Sequence, residues 1–392
     1  MSLSSKSPHA AGGKTPPSRR PQRRATLTLV GLAAMALAAL AVVESSLHLE
    51  PDALYEAKVA AAELSRSAAS ELRRQRLERG VVIDPLNDPG ESVLIGQEYT
   101  QITTDRGSID AKIASTDPNF AAVAVEMLGD LGLAPGDCVA VAVTGSFPGL
   151  NISLYAALET LALRPAVVTS VGASNWGANA PDFTWLDMER QIAEAGLMTT
   201  RSSAASIGGG LDTGRGLSPH GRRLIREAIE RNGVPYLAPR HLQQGIDRRL
   251  EVYTRECGGQ PAAFVNVGGG VASLGHPLNG EFIPSGVVGE LPRRNYPNRG
   301  VLLRLHEAGV PAIHLLRVET LARRHGLVFN PNAPSTIGTG RPYEALRYDL
   351  RQTLLATCIL VATILFIAFD DRRRHRLGNE PVGLGEPQGD WV

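Results

Sequence analysis

Two uncharged apolar runs bracket this chain, and between them hydrophobic and polar positions alternate on much shorter periods. The first run, residues 25–43, is built from Ala, Leu, Val, Met, Gly and Thr. At the helical rise it spans most of a bilayer's hydrocarbon core. The second, residues 352–369, is rich in Leu, Ile and Phe and falls within the same range. Its edges are abrupt: Arg351 precedes it and the cluster Asp370, Asp371, Arg372, Arg373, Arg374, His375 and Arg376 follows at once. Such edges fit a membrane boundary better than a buried core helix.

From Tyr55 to Arg79 small apolar residues recur at positions 57, 61, 64, 68 and 72, an i, i+4 face that predicts a helix. It lies in a segment 44–82 read as a stalk, ended by Gly80 and a loop carrying Asp84, Pro85, Asn87, Asp88, Pro89 and Gly90. Residues 83–351 then alternate β-rich runs with helical stretches. Strands are predicted at 139–144, 166–171, 263–267 and 312–316. Helices are predicted from Asp117 and Pro118 to Leu131, and over 151–163, 184–195, 219–232, 240–257, 299–308 and 318–325. This alternation predicts an α/β domain, a mostly parallel sheet with helices on both faces, flanked by two transmembrane helices.

Charge adds an orientation. The chain of 392 residues has a net charge of only +1, which excludes the basic balance of a nucleic-acid binder. The informative charge is local. Lys6, Lys14, Arg19, Arg20, Arg23 and Arg24 precede the first run with no acid among them, and the Arg372–Arg376 cluster follows the second. Basic residues resist translocation, so both termini are expected in the cytoplasm, as tails 1–24 and 370–392, with the domain outside a cell membrane. The tails, rich in Pro, Gly, Ser and charge, read as disordered. A cleaved signal peptide is the alternative for the first run, disfavoured by its length and long basic leader.

Three cysteines, Cys138, Cys257 and Cys358, stand far apart without a Cys-x-x-Cys pair, so neither a disulfide framework nor a zinc site is indicated. Cys138 reads as a buried small hydrophobe and Cys358 as facing lipid or another helix. Cys257 stays open between free and paired. No two histidines have metal-ligand spacing with an acid, and neither metal nor cofactor is predicted.

Candidate chemistry sits where predicted strands run into glycine-bearing loops, since ligands of such sheets bind at strand C-termini. The loop Thr144–Asn151 offers Gly145, Ser146 and Asn151, without the spacing of a phosphate loop or a nucleophile elbow. The loop from Gly172 places Ser174, Asn175, Trp176 and Asn179 together and holds two of the chain's three tryptophans, Trp176 and Trp185. Recognition of a ligand and packing of the loop on its own helix are equal readings. Gly268, Gly269 and Gly270 follow a strand and can present backbone amides to an anion; a flexible turn without a ligand is an equal reading. Gly208–Gly210, with Asp212, Arg215 and His220, is ranked as a surface excursion. Asp187 and Glu189 read as helix-start charges before an acid/base pair. If the chain is catalytic, Ser146 is the candidate nucleophile and His220 or His276 the base.

Long runs carry a family resemblance. Gly145–Asn151, Ser170–Asn179 and Phe183–Glu189, with Gln97–Thr100 and Thr104–Ser108 before them, resemble the poly-gamma-glutamate system protein family over most of residues 90–330. The resemblance implies a membrane-associated role in bacterial production and export of the poly-γ-glutamate capsule polymer, and supplies no catalytic residues. The expectation is an accessory membrane protein whose outer domain binds the polymer or the synthase and exporter subunits. Two alternatives stand beside it: a hydrolase or transferase acting on the polymer through a loop serine, and an extracytoplasmic sensor of a small anionic solute.

Overall fold

The computed structural model describes residues 19–327 and 335–377, so the outer parts of both tails read as disordered lie outside the described residues. The chain divides into two compact units, one holding the two terminal segments up to Glu50 and from Leu346, the other running from Pro51 to Ala345.

In the first unit, helices Arg19–Ser45 and Leu350–Leu377 pack along one another. Each is long and apolar enough to cross a membrane, and their leucines and phenylalanines, Leu37 and Phe366 among them, stand exposed. Both helices run past the apolar limits read from sequence. The backbone stays helical through Arg19–Arg24 at one end and through Asp370–Arg376 at the other, because a helix closes its own hydrogen bonds whatever its side chains.

The second unit is built on a six-stranded sheet. Its strands are β1 (Cys138–Thr144), β2 (Arg164–Ser170), β3 (Ser202–Ser206), β4 (Ala263–Val267), β5 (Gly286–Val288) and β6 (Ala312–Leu315). They lie in the order β5-β6-β4-β1-β2-β3, all parallel save β5 on its edge. The chain steps outward from β1 to β3, returns to the other side of β1 as β4, and so reverses its strand order between β1 and β4.

Period-two alternation explains why both faces are covered. Val139, Val141 and Val143 of β1 join one core with the helices Phe120–Gly129 and Pro148–Thr160, while Cys138, Ala140 and Ala142 join another with Leu242–Cys257 and Val301–Glu307. Buried on both faces, a parallel strand reads as a continuous apolar run. The expectation of a mostly parallel α/β sheet matches this architecture, with boundaries shifted by a few residues.

Two expectations change. The helix expected as a stalk, Tyr55–Glu78, is an integral layer of the sheet domain: Ala61, Ala68 and Leu72 are fully buried against Phe120–Gly129 and Pro148–Thr160. Its stripe of small residues is a close-packing face, which sequence periodicity alone cannot tell from a solvated helix. The cysteines change more. Cys138 and Cys257 form a disulfide across 119 residues, joining the start of β1 to the end of the helix Leu242–Cys257. The pair has no local spacing signature because the fold, not the sequence, brings the two together. Cys358 is free and exposed.

Candidate functional site

The C-terminal ends of the parallel strands open into one cleft of about 510 Å³. Thr144 ends β1 and Ser146 and Phe147 follow it, Ser170 ends β2 and Gly172 and Ser174 follow it, Gly209 and Gly210 follow β3, Gly269 and Gly270 follow β4, and Leu316 and Arg317 follow β6. The segment Thr104–Ser108 completes the wall. A cleft beside the strand-order reversal is where open α/β sheets bind ligands, because the loops on either side of that point diverge to opposite faces.

Glycine makes the convergence possible. A Cβ on Gly145 would meet the Val171 carbonyl oxygen at 2.5 Å, and one on Gly107 would meet Ser174 Oγ at 2.9 Å. These loops therefore approach so closely that neither glycine has room for a side chain. Gly268 has a φ of +86°, which turns the chain sharply out of β4, and its carbonyl accepts from Asn266 Nδ2 at 2.8 Å. The amides of Gly269 and Gly270 find no acceptor among the described residues.

Behind the lining residues Ser146, Phe147 and Ser174 stands Lys112, on the short helix Ile109–Ser115, with only 2% of its surface exposed. Its Nζ lies 2.8 Å from Ser174 Oγ, bonds the Ser146 carbonyl, and sits 3.9 Å from the centroid of the Phe147 ring. No carboxylate pairs with it among the described residues. Burial therefore disfavours the ammonium and pulls the lysine down to about 7. The aromatic face acts in the opposite sense, but a cation–π contact is worth ~1 kcal/mol and does not match the desolvation of a buried amine. Ser146 Oγ accepts the Ser174 N–H at 3.1 Å, so the two serines lie side by side.

Charge at the mouth is mixed. Arg106 and Asp105 are exposed, Glu319 accepts from Ser108 Oγ at 2.8 Å, and Arg317 pairs with Glu281 at 3.1 Å. The Arg106 guanidinium has no partner among the described residues, which leaves it free for a carboxylate.

The candidates named from sequence divide. Ser146, Ser174, Gly269 and Gly270 line the cleft, with Gly145 and Gly268 shaping the backbone beside it. Gly209 and Gly210, ranked as a surface excursion, line it too. Asn151 is fully buried, its Nδ2 donating to the Thr144 carbonyl at 2.9 Å. Asn175 donates to the Glu98 carbonyl at 2.8 Å, and Asn179 bonds both backbone groups of Gln97. These two asparagines are spent on holding the incoming 97–103 segment. Trp176 takes a φ of +57° and does not line the cleft; Trp185 is buried, its ring 5.4 Å from Tyr155.

Asp187 closes a capping box with Thr184 and pairs with Arg231, as a helix-start charge does. Glu189 is buried among Tyr155, Trp185 and Ser202, and burial raises its carboxyl above the usual range. Neither histidine reaches Ser146: His220 is exposed with its Nδ1 bonded to Arg223, and His276 accepts the Leu278 amide at 3.2 Å. Lys112 escaped sequence reasoning, which looked to loops and histidines; its one sequence signal is a lone charge within Ala111–Thr116. No group of residues able to hold a metal ion occurs among the described residues.

Fold and site thus define a doubly wound α/β domain with a cleft at its strand-order reversal, in a chain with two helices of membrane-spanning length. No family model, no curated protein and no solved structure matches it.

Proposed function

We propose that this is a membrane-anchored component of poly-γ-glutamate production whose large domain lies outside the cell membrane and holds a γ-glutamyl segment in the cleft. The observation that carries the reading is the cleft's position, with strand-end glycines and an unpaired Arg106 at its mouth. Backbone amides and a guanidinium are suited to the α-carboxylates that line such a polymer. The sequence resemblance supports the choice of polymer. The basic residues flanking both long helices support cytoplasmic termini, and the Cys138–Cys257 disulfide suits an oxidising exterior.

The test is a titration of the full chain in lipid nanodiscs with poly-γ-glutamate and short γ-glutamyl oligomers across a salt series. Salt-sensitive binding that Arg106→Ala weakens by about tenfold is expected, as for one lost charge-assisted contact. Absence of binding at every salt concentration removes the reading, and binding of monomeric carboxylates alone favours a sensor of a small anionic solute. Protease added to the outside of intact spheroplasts tests the orientation: the domain is expected to be cut, and its protection reverses the topology.

A further inference from the structure

We propose that Ser174 and Lys112 form a nucleophile–base pair in the cleft, and that the chain breaks or transfers an amide bond of the ligand bound there. The substrate class rests on the γ-glutamyl reading above; the pair itself rests on geometry. Lys112 Nζ is 2.8 Å from Ser174 Oγ, within the reach a general base needs, and Ser174 lines the cleft. The amine's other hydrogen bond is to the Ser146 carbonyl, which can only accept. A neutral amine satisfies both at once, donating N–H to that carbonyl and offering its lone pair to the Ser174 O–H. An ammonium would be buried with no counter-ion. This chemistry needs no histidine, and lysine replaces histidine as the base in known serine nucleophile pairs.

The step balances with water alone as co-reactant. Lys112 takes the proton of Ser174 Oγ as the oxygen bonds to the amide carbonyl carbon. The resulting tetrahedral adduct collapses, the C–N bond breaks, and the lysine ammonium returns its proton to the departing amine. Water, or the amine of a second chain, then attacks the acyl-serine, with Lys112 again taking the proton and Ser174 regaining it. Gly107 lies so close that its Cβ would press on both Ser174 Oγ and Lys112 Cε, at 2.9 and 3.2 Å, which is why this wall segment is bare at that point. The unpaired amides of Gly269 and Gly270, which line the same cleft after β4, are candidate donors for a developing oxyanion.

A lysine that merely ties two loops together would give the same contacts, so the test reads reactivity. The full chain in nanodiscs is treated with a fluorophosphonate probe, and the labelled peptide is mapped. Label on Ser174, at a rate that rises with pH to a plateau through about 7, is expected. Lys112→Met is expected to slow labelling by about 100-fold, the scale of a lost general base, with a melting temperature showing that the variant is folded. Label on Ser146 instead, no label, or a rate flat from pH 5 to 9 overturns the pair; these readings come from the unaltered chain and do not depend on any variant folding. Binding of γ-glutamyl oligomers to Ser174→Ala is measured alongside. Retained binding without probe labelling of the unaltered chain overturns the chemistry alone, whereas labelling without oligomer binding overturns the substrate alone.

Discussion

The guanidinium of Arg249 lies 3.0 Å from the carboxylate of Asp212, with only 1% of either side chain exposed. Asp212 also accepts from Ser206 Oγ at 2.7 Å, and Arg249 donates to Ser170 Oγ at 2.9 Å and Ser206 Oγ at 2.7 Å. One ion pair therefore fastens the ends of β2 and β3 and the loop after β3 to the helix Leu242–Cys257. Ser170 faces the cleft, so the network forms part of its floor.

Removing one partner leaves the other as an uncompensated buried charge. Asp212→Ala and Arg249→Met are each expected to cost about 3–5 kcal/mol in chemical denaturation. The double replacement Asp212→Leu with Arg249→Met removes both charges and is expected to cost less than either single change. Additive losses would mean that the two side chains act independently and that the floor is not one network.

The disulfide is expected to stabilise by constraining the unfolded chain across its 119-residue span. Cys257→Ser should lower the unfolding free energy by about 2–5 kcal/mol. Adding reductant to the unaltered chain should give the same loss, and Cys358→Ser should change nothing measurable. Equal denaturation midpoints with and without reductant, under conditions that release two thiols, would refute this.

Much of the layout was legible because burial leaves a period in the sequence. Ala263–Val267 is apolar save for Asn266 since both faces of a central parallel strand are covered, and the helix Pro219–Arg231 begins on a Ser218 cap with Pro at its first turn. The edges were harder. Ser202–Ser206 reads Ser-Ser-Ala-Ala-Ser and earns its place by pairing with β2, and Gly286–Val288 is too short to show a period. The site was half legible. Glycines after strands marked the loops that form the cleft, but polarity did not distinguish Ser174, which lines it, from Asn175 and Asn179, which brace another segment. Lys112 was hidden because nothing in one dimension shows that a lysine side chain will be buried without a counter-charge.

The close approach of the loops after β1 and β2 makes glycine necessary at Gly145. A methyl group on Gly145 must displace the backbone carbonyl of Val171, 2.5 Å away, which no side-chain rotation can relieve. Gly145→Ala is expected to destabilise by about 1–3 kcal/mol and to weaken ligand binding. Gly136→Ser, where nothing lies within 4 Å, shows what positive φ alone does, and its effect should leave binding untouched. Full oligomer affinity in Gly145→Ala would mean that the wall tolerates separation of the two loops.

Two buried bases set the pH dependence of stability in opposite windows. His314 is fully buried on β6, its Nδ1 accepting from Asn266 Nδ2 at 3.0 Å, and burial drives it down to about 4. As pH falls below 6.5 the unfolded chain takes up a proton that the native chain refuses until about 4, so native stability declines through that window. The loss is on the order of 3 kcal/mol when complete, and His314→Gln should flatten the slope. Lys112 works at the alkaline end. Its native amine releases its proton near 7 while the unfolded chain holds one to 10.5, so stability should rise with pH between those values. Denaturation midpoints from pH 4 to 10 in the unaltered chain, His314→Gln and Lys112→Met separate the two. A chain whose stability is level from pH 7 to 10 would show that Lys112 stays charged in its burial site, and would remove the neutral amine that the Ser174 chemistry requires.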